Sequence, residues 1–481
     1  MTELPRCTDY GRVTPEHIAR FRGIVGPEHA LVDPDQQLPY LREWRDTYFG
    51  KTPVVLRPGS TAEVSEILKI AQAGRIPVVP QAGNTGLVGA QIPHEDGREI
   101  VVSVERLKAV RAVDAAGYTM TVEAGLTLAE AQAVADRVGR LFPLSLPSEG
   151  SCRIGGNIAS NAGGVGVLAY GTTRSLVLGL EAVLADGRVF HGLKALKKDN
   201  TGYDLKQLLI GSEGTLGIIT AAVVKLVPKP AEKATAMVAI SEIEQALALF
   251  ALAQDAAGRG LTAFEFVPRV CIEFVTRHVP GTREPFPGAH PWYVLLEISG
   301  AREDGTAERE IEGVLVAAAE QGLMRDAVIA TSLQQARDLW RLREAISEAQ
   351  KPEGGNIKHD VSVAIARIPE FIRRADAEIA RIAPGARPLP LGHFGDGNVH
   401  YNVSQPAGGD RAAFLARGPE VTRAVHAIVV DMDGSISAEH GIGRVRRGEL
   451  ARIKDPLDLE LMRRIKAVFD PSGILNPGKM L

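Results

Sequence analysis

The sequence predicts an α+β protein of two principal parts, on three observations. Strand, turn and helix patterns alternate through the first 230 residues; two prolines, Pro228 and Pro230, then end an apolar strand; a second series of strands and helices begins directly after them. The chain has 481 residues, 45% hydrophobic and 23% charged, ample for large buried cores.

Taken in order, residues 61–83, TAEVSEILKIAQAGRIPVVPQAG, set Val64, Ile67, Leu68, Ile70 and Ala71 mostly on one helix face, then a Gly74 stop and a β-branched strand. REIVVSVERL, YTMTVEAGLTLAEAQAVADRVG and LVLGLEAVLADGRVFHG continue the alternation. In LADGRVF an Asp-Gly turn joins two apolar strands, glycine supplying a positive φ at low cost. Beyond the boundary near Pro230, AMVAI and WYVLLEIS read as strands, and EIEQALALFALAQDAAG and DGTAEREIEGVLVAAAEQG as helices. Together they describe an α/β layer with an antiparallel sheet. Long helices are expected at 333–351 and 369–382. The expected division is therefore 1–229, 230–430 and a C-terminal segment 431–481.

Lys and Arg total 55 against 58 Asp and Glu, a net charge of −3, which argues against a polyanion-binding scaffold and a nucleic-acid partner. No stretch approaches about 18 uninterrupted apolar residues, so no membrane span is expected. Cys7, Cys152 and Cys271 are too scattered for a CxxC pair, a zinc knuckle, an iron–sulfur run or a disulfide framework, and a reducing compartment fits. The start, MTELPRCTDYGRV, lacks a basic segment followed by an apolar run, which points to a cytoplasmic protein.

Three glycine-rich segments stand out. Pro80-Gln81-Ala82-Gly83-Asn84-Thr85-Gly86-Leu87-Val88-Gly89 follows the strand RIPVV with glycine at every third position, so backbone amides free of Cβ obstruction can approach a pyrophosphate. The spacing is neither GxGxxG nor GxxxxGK[ST], which argues against a nicotinamide Rossmann unit or an NTPase. Residues 147–164, PSEGSCRIGGNIASNAGG, give up side-chain packing over an extended path, as suits backbone lying against a bulky flat ligand. Residues 202–220 join a helix to a strand through a further glycine turn. By spacing alone any one of these clusters reads as an ordinary tight loop.

Together, in this order and with the closing DPSGILNPGK at 470–479, they resemble the flavin-binding domain of the vanillyl-alcohol oxidase and p-cresol methylhydroxylase superfamily. More narrowly, residues 40 to 481 resemble the FAD-linked D-2-hydroxyacid dehydrogenases, the group with D-2-hydroxyglutarate, D-lactate and glycolate-oxidising members. The resemblance implies a two-part FAD-binding domain, an α/β substrate (cap) domain with an antiparallel sheet, and a helical C-terminal segment. It implies FAD contacts at Pro80, Gln81, Ala82, Gly83, Asn84, Thr85, Gly86 and Gly89, at Pro147, Ser148, Gly155, Gly156, Ser160, Asn161, Gly163 and Gly164, and at Glu213, Gly214, Gly217, Ile218 and Asn476. Some relatives tether FAD through a histidine in the first glycine loop; here none occurs until His94, so FAD is expected to be noncovalent.

The C-terminal half carries a second constellation. LGHFGDGNVHYNV holds His393 and His400 around a Gly-Asp-Gly turn, and SAEHG adds Glu439 beside His440. Three of the chain's 11 histidines fall in these two motifs, and two imidazoles with one carboxylate suit a divalent ion with open positions. A lone strand histidine is more often a hydrogen-bonded core residue; it is the concentration that tips the balance. The resemblance implies His393, His400 and Glu439 as ligands of Zn2+ or a similar ion and His440 as general base; Asn402, two residues from His400 on the same strand face, is a candidate substrate contact. Asp396 is expected to shape the turn.

In ARDLWRLREAISEAQ, Leu339, Leu342, Ile346 and Ala349 form the core stripe, with Arg343 flanking it and Ser347 a turn further along. An arginine so placed is by default a solvated charge on a packed stem. The resemblance gives Arg343, Ser347 and Lys358 to the substrate carboxylates, with Ser347 where the family more often has Thr, and leaves His359 structural. It implies oxidation of a D-2-hydroxy acid to the 2-oxo acid. Two cations point to a dicarboxylate such as D-2-hydroxyglutarate, with D-lactate or glycolate as alternatives, and a noncatalytic flavin-binding subunit as an alternative of another class. Without iron–sulfur cysteines or a nicotinamide fingerprint, the expected acceptor is an external electron-transfer flavoprotein or a quinone; a homodimer is compatible with the sequence.

Overall fold

The structure is a computed structural model that describes residues 10–481; Cys7 lies outside the described residues. The chain forms two units. The first holds the described residues up to Gly163, Tyr170–Pro228 and Glu439–Leu481, and the second holds Gly164–Ala169 and Lys229–Ala438. Two pieces depart from a simple cut near Pro230: residues 164–169 join the second unit, and the return to the first begins at 439 where the sequence analysis has 431.

In the first unit, β1 (Ala30–Leu31), β2 (Val55–Leu56), β3 (Val78–Gln81) and β4 (Ile100–Ser103) make one sheet in the order β1-β2-β4-β3, with β2 and β3 parallel to β4. A second sheet is antiparallel: β5 (Val110–Asp114), β6 (Thr119–Glu123), β7 (Val177–Val183), β8 (Val189–Gly192) and β9 (Ile218–Lys225), ordered β5-β6-β9-β7-β8. Helix Thr61–Gly74, capped by the Ser60 hydroxyl, buries Val64, Ile67, Leu68, Ile70 and Ala71, as its pattern predicts. Its stop differs by one residue. Arg75 takes the left-handed cap (φ 49°), while a Cβ on Gly74 would stand 3.1 Å from His17 Nε2, so glycine there serves close approach. The Asp-Gly hairpin forms between β7 and β8, with Gly187 at φ 83° and Val183 opposite Val189.

The C-terminal segment belongs to this core. Ile474 and Leu475 are fully buried, and Leu475 bridges Val78 in parallel, so the closing motif continues the sheet beside β3. Lys466 donates to Asp470 and to the Thr215 and Leu475 carbonyls, which balances a buried ammonium by hydrogen bonds as well as by charge.

The second unit is built on one antiparallel sheet. Its strands are β10 (Glu232–Ile240), β11 (Leu261–Pro268), β12 (Trp292–Gly300), β13 (Asp326–Ile329), β14 (Asn356–Ile357), β15 (Val361–Ser362), β16 (Arg387–His393) and β17 (Asn398–Ser404). The order is β13-β10-β12-β11-β16-β17-β14, with β15 also pairing β17. Helices Ile243–Ala257 and Thr306–Glu320 bury Ala246, Leu249, Ala253 and Ile311, Val314, Ala318. Sequence patterning marks neither β11 nor the helix Arg269–His278 after it. Its helix 333–351 is in fact Leu333–Glu344 and Ile346–Ala349, broken at Ala345.

Candidate active site

In the first unit the glycine segments meet. A Cβ on Gly83 would fall 2.3 Å from the Ser151 carbonyl oxygen, one on Gly156 3.1 Å from the Ala82 Cβ, and one on Gly214 3.0 Å from the Pro80 ring. Backbone bonds close the same cluster: Gly211 N–H to Ile158 O (3.0 Å), Glu213 N–H to Ala159 O (2.8 Å) and Asn476 N–H to Val78 O (2.8 Å). Part of the second segment, Ile154–Ala159, is helical where an extended path is expected. Asn84, Asn161, Glu213 and Asn476 all have left-handed φ (46–53°), a conformation that costs non-glycine residues free energy and gathers at functional sites.

Two buried polar atoms here, Asn84 Oδ1 and Asn476 Oδ1, have no hydrogen-bond partner among the described residues. Such atoms are costly unless a ligand or water satisfies them, so the cluster fits a large polar cofactor. Several expected contacts also have protein partners. Gln81 Nε2 donates to the Tyr40 and Gln91 carbonyls, Asn161 Oδ1 accepts the Arg174 amide, and Ser160 Oγ donates to Gly156 O. The Glu213 carboxylate accepts the Ile442 and Gly443 amides, each at 2.7 Å, which binds the C-terminal loop to this cluster; burial outweighs those bonds and pushes its pKa up. We expect Gly83→Ala, which must displace the 151–152 backbone, to cost ~1–3 kcal/mol and lower the FAD-to-protein ratio, measured by melting and absorbance.

The second unit assembles the histidines. His393 ends β16 and His400 sits on β17, joined by a tight turn with Gly397 at φ 85° and Asp396 Oδ1 accepting the Asn398 amide. Their rings stand 5.4 Å apart, edge to face. Ala438 N–H bonds the Asp360 carbonyl, and the next residue in the chain is Glu439. Among the described residues, the ligand atoms of His393, His400 and Glu439 lie within 4.8 Å of one another, and so do those of Asp360, Glu439 and His440. Two imidazole nitrogens and a carboxylate oxygen form a donor set suited to zinc or a similar ion.

Two buried carboxylates absent from the sequence reading complete this cluster. Glu265 on β11, 1% exposed, accepts His393 Nδ1 at 2.6 Å and Arg343 Nε at 2.8 Å. Burial alone would raise its pKa, but His393 and Arg343 against it hold the carboxyl below the usual carboxylate range. Asp360, also 1% exposed, has Oδ1 3.7 Å from His400 Nδ1 and accepts Asn398 Nδ2 at 3.0 Å. A lone acid in the otherwise apolar run LTAFEFVP is the one sequence signal that marks Glu265.

Of the expected substrate contacts, Arg343 has 13% of its side chain exposed, and with Nε on Glu265 its two Nη atoms have no protein hydrogen bond among the described residues. Ser347 is exposed, beyond the break at Ala345. Lys358 is half-buried, and Asn402 is buried on β17, its Nδ2 3.5 Å from Gln350 Oε1. His359 donates from Nδ1 to the Tyr401 carbonyl at 2.6 Å, a structural bond.

Residues 52–192 match the FAD binding domain family, and residues 229–480 match the FAD linked oxidases, C-terminal domain. The chain is 36% identical to the mitochondrial D-2-hydroxyglutarate dehydrogenase of Arabidopsis thaliana, over 98% of this chain and 82% of the plant protein. It is 38% identical to D-2-hydroxyglutarate dehydrogenase of Xanthomonas citri pv. viticola, over 97% of both chains. The chain belongs to the FAD-linked D-2-hydroxyacid dehydrogenase family. As a member it is an FAD-dependent hydroxyacid dehydrogenase, and residues 52–192 match its FAD-binding domain. The fold is that of a solved p-cresol methylhydroxylase, with a TM-score of 0.76 at 17% identity over 99% of this chain and 98% of that one. Among the described residues no helix of this family member is long and apolar enough to cross a membrane.

Proposed function

We propose that the protein oxidises D-2-hydroxyglutarate to 2-oxoglutarate, using noncovalent FAD and a divalent ion held by His393, His400 and Glu439. The observation that carries this reading is the convergence of two imidazoles and a carboxylate next to an arginine whose Nη atoms have no protein hydrogen bond among the described residues. When bound, FAD supplies a hydride acceptor and the ion supplies Lewis acidity at a chelating 2-hydroxy acid. The chain's own work is then positional and protonic. The His440 imidazole accepts the substrate hydroxyl proton, Arg343 and Lys358 oppose the carboxylate charges, and Asn402 and Ser347 offer hydrogen bonds. Electrons leave to an external acceptor such as an electron-transfer flavoprotein or a quinone.

The test is anaerobic flavin bleaching with D- and L-2-hydroxyglutarate, D-lactate and glycolate. Rapid bleaching by the D-dicarboxylate is the expected result; bleaching by D-lactate or glycolate alone would reassign the substrate, and none by any acid would leave a flavin-binding subunit. Arg343→Ala is expected to raise KM for D-2-hydroxyglutarate by about 10- to 100-fold, the loss of one charge-assisted contact, with a smaller change in kcat, read from steady-state kinetics. Acid precipitation is expected to release the yellow colour to the supernatant, since the first histidine after the glycine loop, His94, already faces the Pro477 carbonyl at 3.3 Å. Colour kept in the pellet would show a covalent flavin.

A further inference from the structure

The geometry points to Glu265 as a positioning residue that ties the substrate arginine to the metal ligand His393, so that the two binding functions share one buried carboxylate. This inference rests on the metal reading above. Glu265 lies directly opposite His393 in the antiparallel register of β11 and β16. Its oxygens are divided: Oε1 faces His393 Nδ1 at 2.6 Å and Oε2 faces Arg343 Nε at 2.8 Å, and among the described residues the side chain has no other hydrogen bond.

Three consequences follow from this division. A carboxylate can only accept here, so Nδ1 of His393 carries the proton and Nε2 keeps the lone pair for an ion. Such outer carboxylates fix the tautomer and ring plane of a metal-binding histidine. The Nε bond also sets the plane of the Arg343 guanidinium, which leaves Nη1 and Nη2 as the edge available to an anion. Finally, Arg343 balances the charge of Glu265, without which a carboxylate at 1% exposure would be costly to bury. Removing Glu265 therefore loosens both groups at once, whereas an acid that served packing alone would lower stability without linking two ligands.

The holoprotein, stripped of metal by a chelator and titrated with Zn2+ alone, tests this in three forms: parent, Glu265→Gln, and the Glu265→Gln/Arg343→Met pair. The amide keeps the shape of Glu265 without its charge; the pair leaves no orphaned charge and answers for the single variant if that does not fold. We expect Zn2+ affinity to fall about 10- to 100-fold in both variants. At saturating Zn2+, KM for D-2-hydroxyglutarate should rise about tenfold in Glu265→Gln, with kcat changing less than KM and FAD content unchanged, while the pair is read on Zn2+ affinity alone. Zn2+ affinity within threefold of the parent, or weakened Zn2+ binding with an unchanged KM, would overturn the inference. In either case His393→Ala losing Zn2+ in the same assay would leave the metal reading standing. A parent that takes up no Zn2+ would overturn both.

Discussion

His440→Ala is expected to reduce its flavin about 100- to 10,000-fold more slowly than the parent, the range for loss of a positioned general base, while keeping its metal. The reason lies in the two overlapping groups: Glu439 is common to both, with His393 and His400 in one and with Asp360 and His440 in the other. Glu439 and His440 lie in a bend, and Glu439 is the member that reaches the group of the two imidazoles, which leaves His440 for the substrate in this reading. A carboxylate is the better permanent ligand for a hard or borderline ion, and a neutral imidazole, ordinarily titrating at about 6.5, suits proton removal near neutrality. Asp360 is buried, and its carboxylate falls in the same group as His440. Stopped-flow reduction by D-2-hydroxyglutarate alongside elemental analysis separates the roles. A variant that reduces flavin at the parental rate but has lost its metal would exchange base and ligand.

Chelation is the second large expected effect: it should abolish turnover and leave the protein yellow, and added Zn2+ should restore the rate. The proposed ligand histidines sit on β16 and β17 of the second unit, the proposed ligand Glu439 opens the C-terminal piece counted with the first, and the backbone bonds named above that close the glycine cluster use none of these three side chains. We therefore expect metal loss to leave the glycine cluster closed. His393→Ala and His400→Ala each remove one of three donors. We expect each to weaken Zn2+ binding by more than the ~10- to 100-fold typical of losing an outer-shell partner. Full activity in a protein shown to be metal-free would remove the ion from the mechanism.

Sequence patterning by itself determined what depends on neighbours along the chain. The helix Thr61–Gly74 and the β7–β8 hairpin were legible because their periodicity and their turn chemistry are local. His393 and His400 were legible for the same reason, since one turn links two paired strands and brings both rings together. Tertiary structure alone decided the partners. Glu265 meets His393 across 128 residues and Arg343 across 78, through a strand that local patterning did not reveal. Asp360 reaches Asn398 across 38 residues, and Glu213 binds amides 229 and 230 residues away. A buried charge must find its counter-charge or its hydrogen bonds somewhere in the fold, and sheet register, which no single segment encodes, decides where.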